Sequence, residues 1–566
     1  MNKMLKNGLL MLAAGAFAVS CADYNDLGGF SVPGDPSYVP AYADLAPVKE
    51  YINKSDYPNM TVDATVDLTQ FNEQKPANAV SHSAALTNFD GITFGYSFMP
   101  AKYVSKKGYM NFMGLKDALS NTSSLGVPVY GSPIFANDQQ SDEWFSYLTA
   151  PIEVPVLPMT DKDVDYSTAT EFKGTYKGSA KPSIVKNYDA NGNALRLPKK
   201  AKVYIVEDFD LDPQGYYTIT FTAKSELDDM DQNVNCTFAG NKIMSGSTAK
   251  AFPIRPGGWQ TIKVEATPKE GATYAYLMVE GNLNSVIYIR NVHVEHTPDN
   301  HRDQKKSEKN DTIRYAVNKW CDGLMEANAG RIKSFDLIDK PLDSKAEVEA
   351  GILDLKHSDT NIFWQDYLED DTHTGSELYG AVTSKEVRAA YAKHGGNSAE
   401  LKLFVCETGL EDQKRFESLK YWIGKWEANG AQIDGINAEL NLSYSEDADK
   451  QAATVDALNT LLDNLKSTGK LIRLSNLDIK YYDAAGTAVS AKDITKEQRQ
   501  NLANFNAFVI KAYMTKIPAN QKAGICKTNM ADTSSDPVGL WAKDGNSWIR
   551  TATYKAFCDA LSGKTN

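Results

Sequence analysis

Residues 401–442 read LKLFVCETGLEDQKRFESLKYWIGKWEANGAQIDGINAELNL. Apolar runs at 401–406 and 433–442 each predict a buried strand. Between them, from 411 to 429, apolar residues recur every three or four positions, which is typical of an amphipathic helix. A strand, a helix and a second strand in this order predict one unit of a parallel α/β fold.

The same alternation continues on both sides of this stretch. Apolar runs predict strands at 92–94, 127–131, 331–338, 471–477 and 523–528, and helical patterns cover 452–468 and 495–516. A long series of this kind favours an α/β fold closed into a (β/α)8, or TIM, barrel. We assign residues 46–150 and 311–563 to this discontinuous barrel.

Residues 151–310 break the pattern. Apolar and polar residues alternate at 217–223, 274–279 and 286–289, and no convincing helix is present. We therefore expect an antiparallel β-sandwich inserted within the barrel. The charged run at 300–311 is expected to be disordered.

The N-terminus has the features of an export signal. A basic start and a short apolar run precede Cys21, and the small residues before this cysteine are typical of a bacterial lipoprotein cleavage site. We expect residues 1–20 to be removed as a signal peptide, Cys21 to be lipidated and residues 21–45 to form a tether. These features predict a lipid anchor in the outer membrane, at the cell surface; the alternative is a plain secretory signal.

Composition excludes several classes of function. The formal net charge of the 566 residues is -12 and no basic stripe is evident, so nucleic acid is not an expected partner. The five cysteines after Cys21 are widely spaced and contain no C-x-x-C pair, which argues against a zinc site. We expect them to be buried as small apolar residues.

Five stretches carry a resemblance to a known family. They are 334–341 (SFDLIDKP), 363–368 (FWQDYL), 401–405 (LKLFV), 433–436 (IDGI) and 469–479 (GKLIRLSNLDI). In order and spacing they resemble glycoside hydrolase family 10, the endo-xylanase family. The insert resembles a family 4-type carbohydrate-binding module, which xylanases of gut Bacteroidetes often carry after the third barrel strand. The resemblance implies a surface lipoprotein of a polysaccharide-utilisation system.

The two catalytic positions of that family are changed in this sequence. The acid/base Glu of the family closes a W-D-V-V-N-E motif on the fourth strand, and its position here is Lys340. The nucleophile Glu of a T-E-L-D motif on the seventh strand becomes Asn476. A lysine with a pKa of about 10.4 is a poor general acid, and a neutral amide cannot form a glycosyl-enzyme intermediate. We therefore expect no catalytic residue at either position.

Other residues that hold the sugar in family 10 are also replaced. E-N-E-M-K becomes GYSFM at 95–99, G-H-T-L-V-W-H becomes GSPIFAN at 131–137, and G-I-G-x-Q-x-H becomes GINAELN at 435–441. The tryptophan of the eighth strand falls near Thr528. Loss of all these groups while the strand and helix patterns persist indicates a barrel that no longer performs this reaction.

Two acids stand where the family has none. Asp339 and Glu439 are expected at the C-terminal ends of barrel strands, where the active sites of this fold lie. One hypothesis is a relocated catalytic pair. The other is a structural or binding charge, with Asp339 paired to Lys340 or another base.

Several aromatic residues are candidates for stacking on sugars. Those of the barrel fall in or near loops on the same side, and one in the insert follows Pro256-Gly257-Gly258; packing within the core is the alternative for each. The candidate glycan-binding residues are Trp259, Trp364, Tyr444, Tyr481, Trp541 and Trp548. In the insert, Asp208, Asp210 and Asp212 could hold a structural calcium ion, with a solvated turn as the alternative.

Together these features predict a glycan-binding surface lipoprotein on a catalytically inactive family 10-like scaffold. It would capture a polysaccharide, xylan-like or another, for degradation or for uptake with neighbouring glycan-uptake proteins. No cofactor is expected. The alternatives are an active glycoside hydrolase of the endo-1,4-beta-xylanase type with relocated catalytic residues, and a scaffold that binds no sugar.

Overall fold

The computed structural model describes residues 42–563, apart from 74–75, 156–160, 244–250, 282–283, 299, 359 and 545–546. The predicted signal peptide 1–20, Cys21 and residues 22–41 of the predicted tether lie outside the described residues. The chain folds into two compact units. One comprises the described residues up to Thr149 and from Lys305 onward, and the other is Ala150–Gln304. Each unit has its own large apolar core.

The first unit is built on eight parallel strands. In chain order they are β1 Thr61–Thr65, β2 Gly91–Thr93, β3 in two pieces Val129–Tyr130 and Phe135–Ala136, β4 Ser334–Asp339, β5 Lys402–Thr408, β6 Gly435–Glu439, β7 Leu471–Ser475 and β8 Lys522–Lys527. Strand β8 pairs with β1, and both ends of β3 reach β4, through a bridge between Gly131 and Phe335 and through Phe135–Ala136. The sheet therefore closes into a (β/α)8 barrel, and the predicted fold class is confirmed.

Gly131 is required where β3 meets β4. A Cβ atom at this position would lie 2.0 Å from the ring of Phe335. Phe335 is fully buried inside the barrel, so its ring cannot move away without opening the core. The absence of a side chain at 131 therefore lets the barrel close.

Helices alternate with these strands. They are Leu68–Glu73, Pro76–Asn88, Met113–Ser124, Asp142–Leu148, Lys306–Asn328, Gly375–Lys393, Gln413–Ala428, Ala448–Ser467, Lys496–Lys516 and Ala552–Leu561. The helix predicted at 411–429 begins after Asp412, whose side chain accepts a hydrogen bond from the backbone N–H of Arg415. Its apolar face, including Trp422 and Trp426, is buried in the core as the spacing predicts.

The second unit is an antiparallel β-sandwich. One sheet contains Tyr176–Lys177, Lys202–Phe209, Gln232–Phe238, Asn241–Ile243, Phe252–Ile254 and Ala275–Glu280. The other contains Lys162–Val164, Ser183–Asp189, Gly192–Leu197, Tyr216–Ser225, Gln260–Ala266 and Ile287–Thr297. Alternate residues of each strand form one shared apolar core, which explains the period-two pattern of the sequence. A short ladder between Ile152–Glu153 and His301–Arg302 joins the two ends of the unit.

The structure also tests the predictions for the run 300–311 and for the five cysteines after Cys21. The prediction of disorder at 300–311 is wrong, because the helix Lys306–Asn328 begins within this run and buries Asn310. The prediction for the five cysteines is confirmed, since all are free and buried. Among the described residues, no helix is both long and apolar enough to cross a membrane.

Candidate functional site

Lys340 and Asn476 lie at the C-terminal ends of two barrel strands. Lys340 directly follows β4 and Asn476 directly follows β7. Both adopt a left-handed backbone conformation, with φ of 44° and 56°. This region is sparsely populated by residues other than glycine and is common at functional sites. The backbone at the two catalytic positions is therefore unusual, although neither side chain is a carboxylate.

The ammonium group of Lys340 is held by an acid and a tyrosine. Its Nζ atom lies 2.8 Å from a carboxylate oxygen of Glu439 and donates to the hydroxyl of Tyr96 at 2.8 Å. A carboxylate oxygen of Asp339 lies 3.9 Å away. Burial alone would lower the pKa of Lys340, but the Asp339 charge and these hydrogen bonds outweigh it and raise the pKa well above the ordinary value. Lys340 is therefore a firmly protonated cation and a worse general acid than a free lysine.

The side-chain amide of Asn476 is hydrogen-bonded to the backbone. Its Nδ2 atom donates to the carbonyl oxygen of Leu440 at 2.9 Å. This bond ties the end of β7 to the residue that follows β6. A side chain used in this way fixes the loop geometry but offers no nucleophile.

Asp339 and Glu439 are brought together. One oxygen of each, together with the sulfur of Cys406, lies within 4.8 Å of the others. Asp339 is buried and its Oδ2 accepts a hydrogen bond from Tyr96 at 3.0 Å, while Glu439 is partly exposed. Burial raises the pKa of Asp339 above its usual value, although Lys340 acts against this shift.

These residues border a cavity of about 250 Å³ at the mouth of the barrel. Below it lies a layer of polar side chains where barrels of this type usually hold branched apolar ones. Asp336 accepts hydrogen bonds from Tyr130 at 2.7 Å and from Asn437 at 2.9 Å. Arg473 stacks over the ring of Tyr130 and pairs with Asp63 at 2.6 Å.

Asp336 is the most perturbed acid of this layer. Burial raises its pKa to about 7, although the hydrogen bond from Tyr130 and the charge of Arg473 act in the opposite direction. Asp336 lies in the stretch 334–341 and was not among the predicted site residues. A charged residue inside an otherwise apolar strand is the feature of the sequence that indicates its role.

Most of the predicted aromatic candidates of the barrel are core residues. Trp364, Tyr481 and Trp541 are at most 2% exposed, which favours the alternative of packing within the core for these three residues. Tyr444 is partly buried and packs against Tyr481. Trp548 is half-buried and borders a cavity of about 350 Å³ beside β1 and β8, so it remains a candidate for stacking on a sugar.

Trp259 of the insert is tied into its own sheet. The guanidinium of Arg290 lies 4.3 Å from the centre of its ring, and its indole N–H donates to Asp189 at 2.9 Å. Tyr188 packs edge-on against the same ring. One face of Trp259 is therefore already occupied, which favours the packing alternative over a sugar platform.

A different set of rings lies on the opposite sheet of the insert. Tyr204 and Tyr276 are stacked with centroids 4.4 Å apart and planes within 7° of parallel, and Tyr274 adjoins Tyr276. Tyr274 is 40% exposed and Tyr276 is partly exposed on the face away from the core, whereas Tyr204 is 8% exposed, covered by Tyr276 and with the ammonium of Lys177 over its ring. Sequence reasoning missed them because Tyr204 and Tyr276 are 72 residues apart. The alternation of tyrosine with apolar residues was the available signal.

Asp208, Asp210 and Asp212, the predicted calcium ligands, do not form a cluster of ligand atoms. Asp212 is buried and bound by His296 at 3.0 Å, and among the described residues only Asp339, Cys406 and Glu439 bring three such ligand atoms within 4.8 Å. Asp208 and Asp210 therefore do not complete a site with Asp212. Asp208 and Asp210 are exposed, as the solvated-turn alternative predicts, whereas Asp212 is buried.

Comparison with known proteins agrees with this description. The model of Glycosyl hydrolase family 10 matches residues 292–559, which include β4 to β8. No curated protein matches the sequence. A family 10 endoxylanase retrieved from a sugarcane soil metagenome is 9% identical with a TM-score of 0.50, over 91% of this chain and 100% of that one.

Two further xylanase structures are similar. Xylanase B from Clostridium stercorarium F9 is 11% identical with a TM-score of 0.49, over 91% of this chain and 100% of that one. An endo-1,4-beta-xylanase from Penicillium canescens is 11% identical with a TM-score of 0.48, over 92% and 98%. At these identities the likeness concerns the fold alone. Residues 292–559 are thus similar in sequence to glycosyl hydrolase family 10, and the fold resembles that of xylanases.

Proposed function

We propose that this protein binds a polysaccharide without cleaving it, as a lipid-anchored protein of a glycan-capture system. The observation that carries the proposal is the ammonium of Lys340, which takes the acid/base position and lies 2.8 Å from Glu439 and 3.9 Å from Asp339. A sugar ring in the reacting position would have to displace this cation from a buried network. No carboxylate remains at the nucleophile position, Asn476.

The outer tyrosine surface of the insert is the proposed main binding site. The rings available to a ligand are those of Tyr276, which Tyr204 supports from one side by stacking, and Tyr274, whose hydroxyl donates to Glu207 at 2.9 Å. Rings of this kind offer apolar faces to pyranoses, while the polar rim can bind sugar hydroxyls. Xylan is the first ligand to test, because the family match is to xylan-cleaving enzymes.

A second candidate function is hydrolysis by the relocated acids. Oxygens of Asp339 and Glu439 lie within 4.8 Å, close to the spacing of about 5–5.5 Å that retaining glycosidases use. The raised pKa of Asp339 would suit an acid. Against this stands Lys340, whose hydrogen bond to Glu439 weakens that carboxylate as a nucleophile.

An assay of sugar release separates the two functions. Protein lacking residues 1–21 is expected to release no reducing ends from xylan or arabinoxylan above a buffer blank, because Lys340 and Asn476 occupy the two predicted catalytic positions. Asp339→Asn and Glu439→Gln are assayed beside it, with Glu143→Gln on an exposed helix as the matched control. Multiple turnover that disappears in the first two variants but persists in the third would establish the hydrolase instead.

The anchor is a proposal from the sequence alone. If Cys21 carries the acyl chains, Cys21→Ala should move the protein from the membrane fraction to the soluble fraction of cells, since the described part contains no membrane-spanning helix. The measurement is fractionation followed by immunoblotting. Retention of the Cys21→Ala protein in the membrane fraction would mean that another segment attaches it.

A further inference from the structure

Among the described residues bordering the barrel cavity, two buried acceptors and one buried donor, the Nε atom of Arg473, have no hydrogen-bond partner. The Oδ1 atoms of Asp339 and Asn437 are buried and have no hydrogen-bond partner among the described residues, and both residues line the cavity. Asp339 and Asn437 are 7% and 3% exposed. The thiol of Cys406 lies within 4.8 Å and lowers the pKa of Asp339 through a side-chain hydrogen bond, but a thiol is a weak donor. Because a buried acceptor without a donor is costly, the cavity favours an occupant that donates hydrogen bonds.

The charged groups around the cavity also favour a cationic occupant. Carboxylates from Asp336, Asp339 and Glu439 border the cavity, whereas Lys340 supplies one ammonium. The guanidinium of Arg473 also borders the cavity and lowers the pKa of Asp336, but it offsets the three carboxylates only in part, because it pairs with Asp63 at 2.6 Å. Burial raises the pKa of Asp336 to about 7, which reflects the cost of holding this negative charge. A cation would relieve that cost.

The distances to Lys340 indicate that Asp339, rather than Glu439, would accept hydrogen bonds from a bound cation. Lys340 lies within hydrogen-bond distance of Glu439, at 2.8 Å, but is 3.9 Å from Asp339. Asp339 therefore keeps a carboxylate oxygen free of any strong donor. A metal ion held by Asp339, Cys406 and Glu439 would have to displace the ammonium from Glu439, so an organic cation fits better.

We infer that the barrel cavity binds a sugar residue bearing a protonated primary amine, as in a 2-amino-2-deoxy sugar, through Asp339 and Asn437. The inference rests on the proposed function in that the ligand is a saccharide. The cavity volume, about 250 Å³, is below the usual range for drug-sized ligands and suits a single ring. An ammonium is compact and donates three hydrogen bonds, which matches a pocket of clustered acceptors.

Calorimetric titration of the protein with three matched oligosaccharides tests this inference. They are β-1,4-linked glucosamine oligomers, the same oligomers after N-acetylation, and cello-oligosaccharides of equal length. The glucosamine oligomers are expected to bind at least tenfold more tightly than either neutral series, and high salt should reduce that advantage. Equal affinity for all three would overturn the inference while leaving glycan binding intact. Absence of binding by every glycan would instead count against the proposed function as well.

Variants assign the binding to the cavity. Asp339→Asn keeps the shape but removes the charge, and it should abolish the preference for the amine. Glu439→Gln, at the partly exposed rim, is a second variant in case Asp339→Asn fails to fold, and it should weaken the preference. Glu143→Gln removes an exposed charge of the same unit and should leave the preference unchanged. A preference that survives both cavity variants, or that zinc ions alone compete away stoichiometrically, would overturn the inference.

Discussion

Replacing Arg473 with methionine is expected to lower the free energy of unfolding of the barrel unit by about 3–5 kcal/mol. Arg473 is 1% exposed, and its pairing with Asp63 spans the interior of the barrel. Methionine fills much of the same volume but leaves the carboxylate of Asp63, which is 2% exposed, without its cation. The cost arises from that uncompensated buried charge rather than from lost packing.

The double variant Asp63→Asn/Arg473→Met is the matched control. Because both charges are removed, most of the stability lost in Arg473→Met should return, since replacing a complete buried ion pair is often nearly neutral. Urea unfolding followed by tryptophan fluorescence measures each variant. If the double variant were as unstable as Arg473→Met, packing around the guanidinium and the ring of Tyr130 would be the dominant contribution.

The double replacement Tyr204→Ala/Tyr276→Ala is expected to weaken polysaccharide binding by about 100-fold or more. Burying one large apolar side chain against a ligand contributes roughly 1.5–3 kcal/mol, and the double variant removes the partly exposed ring of Tyr276 together with Tyr204, the buried ring that supports it. The two rings stack on each other, so each single variant should also lose part of the surface that the other presents. Affinity gel electrophoresis or calorimetry with a soluble polysaccharide measures the effect.

A tyrosine on the other sheet provides the control for this result. Tyr216 is 39% exposed at the start of the strand Tyr216–Ser225, and Tyr216→Ala should leave binding unchanged. Circular dichroism establishes whether the variants keep the fold. Unaltered binding by a folded Tyr204→Ala/Tyr276→Ala protein would move the proposed site away from this surface, with Trp548 of the barrel as the next candidate.

Local sequence was sufficient for the fold. The helix predicted at 411–429 is observed at Gln413–Ala428, because the apolar spacing and the cap at Asp412 both act over a few residues. The strand predicted at 433–442 is shorter, Gly435–Glu439, since its outer residues already belong to loops. The strand Thr61–Thr65 was not predicted, because its five residues include Asp63 and two threonines and read as polar.

The site could be predicted only in part. Local sequence motifs predict Lys340 and Asn476 as the changed catalytic positions, and the structure places both at the C-terminal ends of barrel strands. The network of Lys340 with Tyr96 and Glu439 joins residues from three strand ends more than 90 positions apart, and only the folded barrel brings them together. The exposure of the aromatic side chains could not be predicted either, because nothing in the local sequence distinguishes the buried Trp364 from the partly exposed Trp548.

The ladder between Ile152–Glu153 and His301–Arg302 has a consequence for how quickly the chain can fold. Strands β3 and β4 are neighbours in the barrel, yet the whole of Ala150–Gln304 separates them in sequence. Closing a flexible loop costs about 0.6 kcal/mol more for each doubling of its length. Once the insert has folded and its two ends are joined, β3 and β4 are connected by a short link in place of a long one. Early folding of the insert would therefore remove the entropic penalty of the interruption and leave the barrel to assemble at the rate of an uninterrupted chain.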